Sequence, residues 1–333
     1  MHIPDGFTAG PINTAAYVVS GGLTAVSLRH AGRELGEKQA PFLGVTAAFI
    51  FAAQMLNFPV AGGTSGHFLG AMLAAILLGP LNAFLVMAVV LGIQCLAFAD
   101  GGLTALGVNI FNMGAVGGIL CYGIFAGIRA ALPKTRGAFL AATGAAAWIS
   151  VVLASTACAI ELALSGVVPL TAALPAMAGV HALIGVGEAL ITVAVVAMTL
   201  QVRPDLVAAW RGDSVTDQQT ALGKSWTAAV IGGVILSVAL AVFVSPFASS
   251  WPDGLEKVAE DIGFIDRAPE QGVWKASPIP DYAAPGVGNE ALATAAAGFI
   301  GTVIVLAVGW GLVRAVRQRK QERNADADAG AAP

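Results

Sequence analysis

Charge is scarce in this chain. Charged residues make up 11% of the 333 positions and apolar residues 57%, against about 25% charged in a typical soluble protein. Between Pro41 and Ile128 the only formal charge is Asp100, and between Gly137 and Val202 the only ones are Glu161 and Glu188. Such runs cannot stay solvated, which excludes a soluble globular domain. The net charge of −3 is too small to suggest nucleic acid or another polyanion as a partner. No cleavable leader is expected, because residues 1–10 have neither a basic start nor an apolar core. Met1 is expected to be retained, since the bulky His2 disfavours removal of the initiator. Cysteine is confined to Cys95, Cys121 and Cys158, all inside apolar runs. That rules out an extracellular disulfide framework and reads each as a small core residue. Built-in energy coupling is missing as well. Gly223-Lys224-Ser225 looks like the end of a phosphate-binding loop, but Gln218 stands where its first glycine is needed. No His-Glu-x-x-His motif of a membrane metalloprotease occurs.

What is present is a series of apolar runs, at about 10–28, 41–57, 67–79, 81–98, 105–128, 138–164, 177–201, 225–247 and 289–313. A transmembrane helix needs about 20 mostly apolar residues; the third run is short and parts from the fourth at Gly79-Pro80. Fourteen of the 17 Lys and Arg fall within 29–38, 129–136, 203–224 and 314–323. Basic loops stay cytoplasmic, and nine alternating spans put all four stretches on one side. The expected fold is therefore an all-α polytopic bundle of about nine transmembrane helices, with the amino terminus outside and the carboxyl terminus cytoplasmic. Residues 1–201 form a first block of about seven spans and 202–224 a cytoplasmic linker. Residues 225–323 form a second unit, two spans bracketing an exposed extracytoplasmic segment at 248–288. Between Ser249 and Gly288 seven acids outnumber three bases. The tail 324–333 is expected to be disordered. No internal repeat supports an inverted-repeat transporter.

The most distinctive chemistry lies at the start. A free amine on Met1, the backbone nitrogen of His2 and the His2 imidazole can close two small chelate rings on one metal ion. A second imidazole would fill the fourth corner of a square, and flat four-nitrogen coordination suits Ni(II) and Cu(II). His67 sits in the small-residue turn Ala61-Gly-Gly-Thr-Ser-Gly-His67, on the same expected side as Met1. The competing reading of His67 is a satisfied interfacial histidine. His181 and Glu188, seven apart on one helical face, could pair with each other, hold the amino-terminal loop, or orient ligands from behind. Asp100 reads by default as a helix-end turn or cap, Glu161 as hydrated near an outer boundary, and Asn109 and Asn112 as interhelical hydrogen-bonding groups. Asp5, Ser65 and Asn109 join His181 and Glu188 as candidates for supporting the ligands.

Five segments carry a resemblance: Met1-His-Ile-Pro-Asp-Gly6, Asn57-Phe-Pro-Val-Ala-Gly-Gly-Thr-Ser-Gly-His67, Phe98-Ala-Asp-Gly-Gly-Leu-Thr-Ala-Leu-Gly107, Phe111-Asn-Met-Gly114 and His181-Ala-Leu-Ile-Gly-Val-Gly-Glu188. Over about residues 1–201 the chain resembles the CbiM/NikM family, the metal-binding S components of energy-coupling-factor cobalt and nickel importers. Trp251-Pro-Asp-Gly-Leu-Glu256 resembles the PDGLE domain, similar in layout to the NikN/CbiN accessory subunits. The resemblance implies a non-enzymatic membrane subunit in a prokaryotic cell membrane, with Ni2+ or Co2+ as transported substrate and no cofactor. It implies metal ligands at Met1 (amine), His2 (amide and imidazole) and His67. It also implies a transmembrane coupling subunit (CbiQ/NikQ-like) and a pair of cytoplasmic ATPases (CbiO/NikO-like). The fused PDGLE tail tilts the substrate toward nickel. The alternative is a self-sufficient secondary metal transporter; a membrane metalloenzyme lacks an acid–base or nucleophile constellation near His67.

Overall fold

The computed structural model describes residues 2–36, 40–210, 225–269 and 271–330, the side chains of Lys320 and of residues 323–330 excepted. Met1 and most of the expected linker lie outside the described residues. The helices are α1 (Gly10–Glu34), α2 (Ala40–Gln54), α3 (Ala71–Leu78), α4 (Pro80–Phe98), α5 (Leu106–Ala131), α6 (Arg136–Leu164), α7 (Leu170–Val202), α8 (Trp226–Phe247), α9 (Gly254–Ile262) and α10 (Glu290–Gly330). Among the described residues six are long and apolar enough to cross a membrane: α4 to α8, and α10 over Glu290–Arg319. α2 is apolar but has only 15 residues.

The expected third span is corrected in form. α3 has eight residues, all buried, and at 1.5 Å rise per residue it covers only about 12 Å of a hydrocarbon core of about 30 Å. The backbone ahead of it is irregular apart from a two-residue antiparallel pairing of Phe58–Pro59 with Ser65–Gly66. Gly79, at φ 86°, ends α3, and Pro80 starts α4 at its first turn, where a missing N–H costs nothing. α4 then returns to Asp100 beside the amino terminus. Residues 64–66 and 68–70 of that irregular stretch are buried. Irregular backbone at such depth is tolerated where protein surrounds it or it lines a cavity.

α6 and α7 form a hairpin joined by 165–169, with the Trp148 indole donating to the Ala182 carbonyl at 2.8 Å. α5 is π-helical over Phe111–Leu120, and such widened turns often occur at functional sites. The second unit closes on the first through α2. A β-carbon on Gly44 would come within 2.8 Å of the Leu306 carbonyl on α10, and one on Gly233 of α8 within 2.4 Å of Val45. Small residues let backbones approach this closely. Two expectations change here. Segment 248–288, expected to be exposed, is so only in part, for Leu255, Val258, Ala259 and Phe264 are buried in the common core. Residues 324–330, expected to be disordered, continue α10 as helix; extending an existing helix through an Ala-rich run is far cheaper than nucleating one.

Candidate metal site

The amino-terminal segment lies inside the bundle, held residue by residue. Ile3 is fully buried. Its backbone N–H donates to Asn109 Oδ1 at 2.9 Å, and its carbonyl accepts from Asn109 Nδ2 at 3.1 Å and from the Gly102 amide at 2.9 Å. Asp5 accepts from Thr104 N and Oγ1 at 2.8 and 2.6 Å with one oxygen, and from Val273 N at 2.7 Å with the other. It thus ties the chain start to both units. Gly6 turns at φ 87°, and a β-carbon there would meet the Arg267 carbonyl at 2.3 Å. Phe7 packs edge-on against Phe264 at 5.2 Å.

This anchoring brings His2 beside His67, their ring centroids 5.0 Å apart and the planes inclined by 27°. A chain of amides defines the His2 tautomer. The Leu69 carbonyl can only accept, and it takes the Gln54 Nε2 hydrogen at 2.8 Å. Gln54 Oε1 therefore faces Gln94 Nε2, at 2.8 Å. Gln94 Oε1 is then left to accept from His2 Nε2, at 3.1 Å. His2 accordingly carries its proton on Nε2 and keeps Nδ1 as the donor atom. That Nδ1 stands 3.2 Å from Asp100 Oδ1, a pair of electron donors that a positive charge between or beside them stabilises. Asp100 is itself fixed by the Tyr282 hydroxyl at 2.6 Å. His67 Nδ1 faces the Phe68 carbonyl at 3.1 Å and so bears the hydrogen, leaving Nε2 as its donor atom. Burial lowers the pKa of His2, with Asp100 opposing, and lowers that of His67 well below the ordinary value. In both rings burial thereby favours the neutral form, the one that binds metal.

Glu188 holds the His67 turn, accepting from Leu69 N at 2.6 Å and Gly70 N at 2.9 Å. His181 bonds the Met177 carbonyl of its own helix at 2.8 Å. The two residues share a face of α7 but serve different neighbours. Ser65 is turned toward the second unit, its N–H donating to the Pro252 carbonyl at 2.9 Å and its hydroxyl to the Trp251 carbonyl at 2.7 Å. Asp253 starts α9 as a capping box with Glu256, and its Oδ2 lies 3.8 Å from His67 Nε2. Gly254 rests on His181, where a β-carbon would come within 2.8 Å of Cε1. The Trp251–Glu256 motif is therefore a device that caps α9 and seats it on the histidine loop.

Of the residues singled out from sequence, Met1 lies outside the described residues, and His2 and His67 meet. Asp5 and Asn109 hold the chain start, Glu188 holds the His67 turn, Ser65 binds the second unit, and His181 lies under Gly254. Asp100 is more than a helix-end cap, since it reaches His2. Glu161, expected to be hydrated, accepts from Asn112 Nδ2 at 2.6 Å. Gln54, Gln94 and Asp253 were missed. An amide embedded in an apolar run was the available signal for the two glutamines; Asp253 had none beyond its motif. Among the described residues no three His, Cys, Asp or Glu side chains form a group able to hold a metal ion, so side chains there supply two imidazoles and not a full set.

Comparison with known proteins identifies the family. The family described as "Cobalt uptake substrate-specific transmembrane region" (CbiM) matches residues 2–206, and the PDGLE domain matches 227–318. A protein of Archaeoglobus fulgidus named as a fused nickel transport protein, NikMN, is 39% identical over 95% of this chain and 99% of its own length. The fused nickel transport protein NikMN of Rhodobacter capsulatus is 30% identical over 95% of this chain and 98% of its own. A crystal structure of a truncated transition metal transporter superposes with a TM-score of 0.54 at 30% identity, covering 60% of this chain and 99% of that one. This multi-pass membrane protein belongs to the CbiM family of cobalt uptake substrate-specific transmembrane regions and carries a PDGLE domain fused behind it.

Proposed function

We propose that the chain is the cation-capturing subunit of an energy-coupling-factor importer for Ni2+ or Co2+. In this reading nine crossings leave the amino terminus outside and the carboxyl terminus in the cytoplasm. Residues 1–201 bind the ion, and the unit at 225–323 covers the site. ATP is hydrolysed by a separate pair of cytoplasmic ATPases acting through a transmembrane coupling subunit. The ion is gripped by the Met1 amine, the amide nitrogen and Nδ1 of His2, and Nε2 of His67.

The observation that carries this reading is the amide chain from Leu69 through Gln54 and Gln94 to His2. A ring closed from the His2 amide nitrogen to its own imidazole is small only if it closes at Nδ1. The amide chain spends Nε2 and spares that atom. Four nitrogens disfavour Mg2+ and Ca2+, which want oxygen ligands, and suit tetrahedral Zn2+ poorly. Binding through a deprotonated amide leaves one net positive charge on the complex, and Asp100 stands beside the His2 imidazole to balance it.

Two measurements test the proposal. A variant with one residue added before Met1 should lose tight Ni2+ binding although every side chain is retained; unchanged binding would remove the amine from the ligand set. In proteoliposomes the chain alone should give no sustained uptake, and uptake should require the coupling subunit, the ATPase pair and ATP. Concentrative uptake by the chain alone would favour a self-sufficient secondary transporter.

A further inference from the structure

We propose that Asp253, supplied by the fused PDGLE domain, is a transient loading ligand: it takes the incoming dication and passes it to His67 and His2, without staying bound to it. The proposal rests on the metal-capture reading above and assigns the second unit a part in it.

The geometry comes from three fixed points. Asp253 Oδ1 accepts from the amides of Leu255 and Glu256 at 2.8 and 2.9 Å, so the carboxylate cannot rotate freely. Its other oxygen lies 3.8 Å from His67 Nε2, the ring nitrogen opposite the one that faces the Phe68 carbonyl. Ser65 grips the backbone of Trp251 and Pro252 just ahead of it. The carboxylate is therefore held against the imidazole by the same loop that carries the imidazole.

The surroundings give it a direction. A cavity of about 600 Å³ is lined by His2, His67, Asp100, Asp253, Glu256, Asp281 and Glu290, among other residues, and no Lys or Arg lines it. Glu256, Asp281 and Glu290 are exposed, Asp100 and Asp253 are half-buried, and the two imidazoles lie at the buried end. A cation moving inward thus meets exposed carboxylates, then Asp253, then nitrogen. Clefts lined by one sign of charge raise association rates by roughly 10- to 1,000-fold. Carboxylate oxygen suits a hydrated ion that has not yet shed its water, whereas imidazole suits Ni and its neighbours better. An ion would bind Asp253 first and prefer the nitrogens afterwards.

A loading ligand lowers the barrier in both directions, so its loss slows entry into the site and exit from it together. The experiment is stopped-flow association and chelator-driven dissociation of NiCl2 with the full purified chain, in wild type, Asp253→Asn, Asp253→Ala and His67→Ala. Asn caps a helix as well as Asp does, so Asp253→Asn removes the charge while keeping α9 seated. The expected result is association and dissociation both slowed roughly tenfold in Asp253→Asn, with the equilibrium constant within about threefold of wild type. An unchanged association rate would overturn the proposal. So would faster dissociation with weaker binding, which marks a resident ligand, or a defect confined to Asp253→Ala, which marks a cap alone. His67→Ala separates the two levels: tight binding that survives it defeats the capture reading, whereas its loss alongside an inert Asp253→Asn defeats only the loading role.

Discussion

Replacing Gln94 by Leu tests whether the amide chain sets the His2 tautomer. Gln94 is fully buried and Gln54 nearly so. The substitution leaves the His2 Nε2 hydrogen without its acceptor and Gln54 Oε1 without its donor, at about 1–3 kcal/mol for each buried group left unmet. The protein can escape part of that cost by turning the His2 ring or moving its proton to Nδ1, the atom proposed to bind metal. If such states come to hold 90–99% of the population, apparent affinity drops in proportion to the competent fraction. That is a loss of roughly 10- to 100-fold, the range usual for partners that orient a metal-binding histidine. Gln54→Leu is milder, because the Gln94 amide is then free to present either end to His2, and a loss of roughly three- to tenfold is expected. The assay is equilibrium titration of Ni2+ against a competing chelator in detergent, with thermal unfolding to confirm that each variant is folded. A folded Gln94→Leu protein with unchanged affinity would refute the reasoning, as would a larger loss in Gln54→Leu than in Gln94→Leu.

Further outcomes follow from the same geometry. Gly254→Ala places a methyl group against His181 and Ile184; overpacking costs about 1–3 kcal/mol and outweighs a helix-propensity gain below about 1 kcal/mol. Hydrogen exchange should rise across α9 and stay unchanged in α6, and equal protection in α9 would contradict the packing. Asn109→Leu removes both side-chain bonds to Ile3, so exchange at residues 3–8 should increase and Ni2+ affinity should fall; a segment still protected would show that Asp5 and Phe7 suffice. The pH dependence has a definite sign. Because burial lowers the pKa of both imidazoles, the protons displaced near neutrality are expected from the amine, of ordinary pKa about 7.7–8.0, and the amide. As pH drops, affinity should therefore fall by roughly tenfold per unit above about pH 8.5 and by roughly 100-fold per unit below about pH 7.5. A flat profile from pH 8 to 6 would argue against both groups.

Much of the architecture was legible because lipid leaves few choices. Long uncharged runs had to be helices. The pairing of His2 with His67 was legible for a chemical reason, since a chelating chain start needs one more nitrogen on its own side. α3 was not, because a run of small apolar residues looks the same whether it crosses the membrane or stops after two turns at Gly79. Segment 248–288 misled for a similar reason. Its acids read as solvated, yet Leu255, Val258 and Ala259 follow a helical period and bury one face of α9. Gln54 and Gln94 gave no spacing signal, since they lie 40 residues apart on different helices and meet only once both are folded. The family resemblance supplied the proposed ligand set, but not the hydrogen bonds that choose between the two nitrogens of each ring.

X-ray absorption spectroscopy of the Ni2+-loaded protein tests the capture site most directly. The account predicts a flat shell of four nitrogens, two of them imidazole, which changes when a single residue is added before Met1. A six-coordinate shell rich in oxygen, or a spectrum indifferent to that extension, would contradict it.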